Sequence, residues 1–144
     1  MVSEEIMHGL SLARDVLETS VVSVVVIKNG QIILKKTGDG IKPILETINE
    51  LGDEMHGSIV GDRILGKASA LLCRYANVKA VYSPQATKTA IALLIIGGVV
   101  SQIDQMIPFI KNRSGNGLCP FEKMLEGVGE PDEAYNILKE KVMK

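Results

Sequence analysis

The chain has no tryptophan, two phenylalanines and three tyrosines among its 144 residues, so flat apolar faces on which bases could stack are scarce. Its formal charge is −1 and its lysines and arginines are scattered, so no basic stripe offers the counterion release that drives binding to nucleic acid or an anionic membrane. Neither partner is expected. The two cysteines, Cys73 and Cys119, lie far apart, and His8 and His56 have no second ligand at metal spacing. That excludes a disulfide framework and a zinc cluster, and free thiols fit a reducing cytoplasm. The start, with Glu4 and Glu5, lacks the basic-then-apolar layout of a signal peptide. The longest apolar run, residues 90–100, is 11 residues and includes Gly97-Gly98, short of the roughly 18 that a bilayer span requires. The expectation is a cytoplasmic protein whose residues 1–144 form a single domain.

What is present is strong periodicity. Ile6, Leu10, Ala13 and Leu17 recur at helical spacing, which predicts an amphipathic helix over 4–18. Two β-branched runs, Val21 to Ile27 and Ile32 to Leu34, flank Asn29-Gly30, the signature of a type I′ hairpin. Both runs are apolar at successive positions, as in strands covered by helices on two faces. Ile44, Leu45, Ile48 and Leu51 predict a second helix ended by Gly52. A third is expected over 62–76, started by Asp62, with Ile64, Leu65, Ala68, Leu71, Leu72 and Tyr75 on one side. Val78 to Tyr82 reads as a strand, Ser83-Pro84 as a cap and first turn, 85–96 as a helix and Val99 to Ile103 as a strand. Two helices, from Pro120 and from Asp132, close the chain. This order predicts a three-layer α-β-α sandwich.

The chemistry-bearing stretch is Asn112-Arg113-Ser114-Gly115-Asn116-Gly117-Leu118-Cys119-Pro120-Phe121-Glu122, a glycine-broken loop running into a proline-started helix. Pro120 suits the first helical position, Cys119 the N-cap and Glu122 the capping-box acid. Unpaired amides and the helix dipole favour a thiolate or a bound anion there. Arg113 can fork onto a carboxylate or phosphate. A second segment, Gly61-Asp62-Arg63-Ile64-Leu65-Gly66-Lys67-Ala68, matches seven positions of the GxxxxGK phosphate loop. It fails at the eighth, where Ala68 stands in place of the magnesium-binding Ser or Thr. A helix start is the better reading of that run. Small residues at Gly66, Ser69 or Ala70 and Cys73 then let a ligand or backbone approach closely.

The hairpin, the run D-R-I-L-G-K-A-S-A-L-L from Asp62, the strand V-K-A-V-Y and the block I-K-N-R-S-G-N-G-L-C-P-F-E-K from Ile110 resemble an uncharacterised prokaryotic family. It is domain-of-unknown-function family 1893, placed in the cytidine-deaminase-like superfamily. The resemblance covers nearly the whole chain. It implies a mixed sheet that begins with an antiparallel hairpin and a site at the starts of the central helices. Asp62, Gly66, Lys67, Asn112, Arg113, Cys119 and Glu122 would then surround one cleft. Zinc deaminases carry H-x-E or C-x-E and P-C-x-x-C at those helix starts. Here Gly66-Lys67-Ala68 and Ser83-Pro84-Gln85-Ala86 stand near those places, so no metal and no other cofactor is expected.

The leading expectation is a metal-free deaminase-fold protein that binds a small anionic or nucleotide-like ligand. Arg113, the Gly115 to Gly117 backbone and the helix start at Cys119 would hold the anion, with Gly66, Asn112 and Glu122 nearby. In an enzyme, Cys119 would be the nucleophile and Asp62 or Lys67 the proton shuttle. Two alternatives stand beside it, a non-catalytic binding or regulatory module and a degenerate P-loop nucleotide-binding protein. A homo-oligomer is compatible with all three.

Overall fold

The computed structural model describes residues 2–111 and 119–143. Helix α1 (Glu4–Thr19) is capped by the Ser3 hydroxyl on the Ile6 amide and buries Gly9, Leu10, Ala13 and Leu17. Strands β1 (Val24–Lys28) and β2 (Gln31–Lys36) form the expected hairpin. Asn29 and Gly30 take φ of 53° and 77°, as a type I′ turn demands. Helix α2 (Lys42–Leu51) stops at Gly52, where φ is 52°, and a 3-10 turn (Gly52–Met55) follows.

From here the chain departs from the sequence expectation. Residues 59–62 are strand β3 (Ile59–Asp62), which pairs antiparallel with β1 and parallel with β5 (Ala80–Thr87). A two-residue strand, β4 (Ile64–Leu65), continues along the same edge of β5. Helix α3 therefore starts at Lys67 and runs to Tyr75, and Asp62 ends a strand instead of capping a helix. Ile64, expected in the core, is 43% exposed. Pro84 also lies inside β5 instead of starting a helix. The register pairs Gly61 with Tyr82 and Ile64 with Gln85, so Pro84 falls level with Arg63, at the break between β3 and β4. Its missing N–H is tolerated where the ladder is already interrupted.

Helix α4 (Lys88–Ile96) begins at Thr87, whose hydroxyl accepts from the Ala90 amide at 3.1 Å. Strand β6 (Val100–Ile107) lies parallel to β5 on its far edge. Helices α5 (Pro120–Met124) and α6 (Pro131–Val142) complete the order.

The result is a mixed six-stranded sheet with helices on both faces, an α/β three-layer architecture. Alternation along β1 divides the core. Val25 and Ile27 face α1 with Ile59 and Tyr82, whereas Val24 and Val26 face α2, α3, α4 and α6 with Val60 and Val81. The edge strand β2 is not covered on two faces as its apolar composition suggested; its residues are exposed or half-buried. No helix among the described residues is long and apolar enough to cross a membrane.

Candidate functional site

Helix α3 has no local side-chain cap, because Gly66 occupies its N-cap position. The unmet amides are served from α5. The Glu122 carboxylate accepts from the Lys67 amide at 2.8 Å through Oε1 and from the Ala68 amide at 3.0 Å through Oε2. An anion at the positive end of a helix is favoured both by the free donors and by the dipole. Gly66 is what permits it, since a Cβ there would run into Glu122 Oε1 and Ile110 Cδ1. The Lys67 ammonium donates to the Leu125 carbonyl at 2.7 Å, tying α3 to the end of α5 a second time. Glu122 was expected to close a capping box on its own helix; it caps α3 instead.

Two segments far apart in sequence thus meet through Glu122, and the protein supplies its own anion at this helix start. Cys119 is the N-cap of α5, half-buried, with its amide donating to the Ile110 carbonyl at 2.9 Å. Its carbonyl accepts from the Glu122 and Lys123 amides, and its side chain makes no capping bond. Asn112, Arg113, Gly115 and Gly117 lie outside the described residues.

Between the starts of α3 and α4 lies a cleft of about 150 Å³ lined by Lys67, Thr87, Thr89, Pro108, Phe109, Ile110 and Glu122. Neither Cys119 nor Asp62 lines it. The second helix start on this cleft is Thr87-Lys88-Thr89, not the Ser83-Pro84 region. The two threonines, Phe109 and Pro108 were not singled out from sequence. The usable signal was Thr87-x-x-Ala90 as an N-cap, hidden by the stronger helix-start signal of Ser83-Pro84.

Asp62 sits 7% exposed at the end of β3, on the face toward α3. Burial is the main influence on its carboxyl pKa, which rises to about 7; the Ser69 hydroxyl and the amides of Ile64 and Arg63 pull the other way. Its Oδ2 has no hydrogen-bond partner among the described residues. Cys73 is fully buried nearby, and burial, with the Asp62 charge second, pushes its thiol pKa up. It is a packing residue, as expected.

Arg63 does not face a phosphate. Its guanidinium donates to the carbonyls of Leu17, Ser20 and Val22 and holds the end of α1. The GxxxxGK run is therefore strand edge through Leu65 and helix only from Lys67.

The fold is an α/β three-layer sandwich around a mixed six-stranded sheet. It resembles a diaminohydroxyphosphoribosylaminopyrimidine deaminase/5-amino-6-(5-phosphoribosylamino)uracil reductase from Thermotoga maritima at a TM-score of 0.50 and 12% identity, over 70% of this chain and 37% of that one. Similarity at that level shows shared architecture alone. The chain itself belongs to the DUF1893 family of domains of unknown function, whose model matches residues 12–142. A DUF1893 family protein from Thermotoga maritima superimposes with a TM-score of 0.85 at 26% identity, over 98% of this chain and 92% of that one. No curated protein matches the sequence.

The zinc that deaminases hold at these helix starts does not fit the residues present. The α3 start offers a lysine and amides already bonded to Glu122, and the α4 start offers two threonines and a lysine. Among the described residues, no three His, Cys, Asp or Glu side chains group to hold a metal ion.

Proposed function

We propose that the protein is a cytidine-deaminase-like binding module that takes one ring or head group of a small nucleotide-like molecule into the cleft between α3 and α4. The observation that carries this reading is the convergence of Glu122, Lys67, Thr87 and Thr89 on one cleft whose remaining wall, among the described residues, is Pro108, Phe109 and Ile110. Apolar walls with a few convergent polar groups are the pattern of small-molecule sites. At about 150 Å³ the cleft is smaller than the roughly 300–1,000 Å³ that encloses a whole drug-sized ligand, so the remainder of the molecule extends outside.

Glu122 decides which end enters. With both oxygens bonded to α3 amides, its remaining lone pairs accept from N–H or O–H groups and repel phosphate. The base-like end goes in. Binding without turnover is favoured over a Cys119 nucleophile, because that thiol does not line the cleft.

The test is thermal denaturation with a panel of cytosine, adenine, their nucleosides and nucleotides, and inorganic phosphate. A Thr89→Trp variant, which fills the cleft from an exposed position, is measured alongside. A base-containing compound should raise Tm in the wild type and not in the variant. If no member raises Tm, or phosphate alone does so equally, the reading is wrong.

A further inference from the structure

At the opposite end of α3, one helix length from the cleft, is another cavity, of about 410 Å³. It lies where α2, the 3-10 turn, the end of α3 and α6 meet. Its floor is apolar and aromatic: Ile48 and Tyr135 are buried, and Tyr75 stacks on Tyr135 with ring centroids 4.0 Å apart and planes 6° from parallel. Its rim is polar and exposed, formed by Asn49, Asp53, His56 and Asn77. The Tyr135 hydroxyl donates to Asn49 Oδ1 at 2.8 Å, which fixes ring and amide together.

The backbone donors around the rim are already engaged. The amides of Gly52, His56, Ala76 and Asn77 all donate inside the chain, to Ile48, Asp53, Leu72 and Arg74. The C-terminal ends of α2 and α3 both face this cavity, and helix C-termini favour positive charge. Among the described residues, no lysine or arginine lines it. Arg74, in the last turn of α3, runs instead against Gly97 at the end of α4. Lys139 lies 5.5 Å from the Tyr135 ring centre but is not part of the wall. Asp53 is the carboxylate of the rim.

We infer that this cavity is a second binding site, for a small organic cation: an ammonium or guanidinium group held by Asp53 and the helix-end carbonyls, with an apolar stem over Ile48 and the tyrosine pair. It is independent of the cleft at the other end of α3, and neither site's failure bears on the other.

The experiment is a two-dimensional amide NMR titration of the whole chain with 1,4-diaminobutane, and with butane-1,4-diol as an uncharged match. The diamine should shift the amides of Asp53, His56 and Asn77 saturably, and the diol should not. Asp53→Asn, at an exposed turn, should leave Tm unchanged and weaken the diamine about fivefold, the upper range for an exposed ion pair. Equal shifts with the diol, shifts scattered over all acidic residues, or an unchanged affinity in Asp53→Asn would each overturn the proposal.

Discussion

Truncating Glu122 to alanine leaves the Lys67 and Ala68 amides, now bonded at 2.8 and 3.0 Å, without their acceptor. A hydrogen bond to a charged group contributes roughly 1.5–3 kcal/mol to stability. Glu122 is half-buried, so water replaces part of what is lost, and the two bonds together are worth about 2–4 kcal/mol. In a domain of this length that corresponds to a fall in Tm of about 10 °C. Urea denaturation followed by circular dichroism measures the loss, with Glu126→Ala, an exposed neighbour, as the control. The variant also gains an anion site that the wild type does not offer. Acetate at 100 mM should restore about 1 kcal/mol to Glu122→Ala if it binds with a Kd of about 15 mM, and nothing to the wild type. A cost below about 0.5 kcal/mol, the ordinary range for surface substitutions, or an equal acetate response in both proteins, would refute the reasoning.

Gly66→Ala should act through the same contact, because its new Cβ occupies the position of the Glu122 carboxylate; combined with Glu122→Ala the losses should be less than additive in a double-mutant cycle. Asp62 gives a pH dependence of definite sign. Its carboxyl holds its proton up to about pH 7 in the folded protein, against roughly 3.9 when unfolded, so the stability this confers is fully present below the lower value and lost as pH rises through the higher. Urea denaturation at pH 5 and pH 8 should show Asp62→Asn losing about 2–3 kcal/mol less than the wild type over that interval, and identical slopes would contradict the assignment. For the cysteines, iodoacetamide at neutral pH should label Cys119 and spare Cys73 until the chain unfolds, since Cys73 is fully buried; equal rates by mass spectrometry would contradict the placement.

The outer frame was legible where local signals were unopposed: the stripe of Leu10, Ala13 and Leu17, the Asn29-Gly30 turn and the Gly52 stop all stand where periodicity and turn chemistry put them. The central strands were not. Strand β3 shows only Ile59-Val60 before Gly61 and Asp62, too short an apolar run to announce a strand, and its place is set by pairing with β1 and β5. Pro84 carried a helix-start signal that the sheet overrode at a level where the ladder between β5 and the β3–β4 edge is broken. At the site, proximity of the Lys67 and Cys119 segments was legible only through family resemblance. The bond that joins them spans 55 residues and leaves no local pattern. One clue was available: α3 starts after a glycine with no Ser, Thr, Asp or Asn to cap it, and a buried helix start without a local cap takes one from elsewhere.

The most direct test of the cleft as the ligand site is a map of which amides move when a base-containing compound is added to the whole chain. An amide NMR titration with the compound that raises Tm most should shift Lys67, Thr89 and Phe109 together and leave His56 and Asn77 still. Shifts that avoid the α3 and α4 starts, or that persist unchanged in Thr89→Trp, would contradict it.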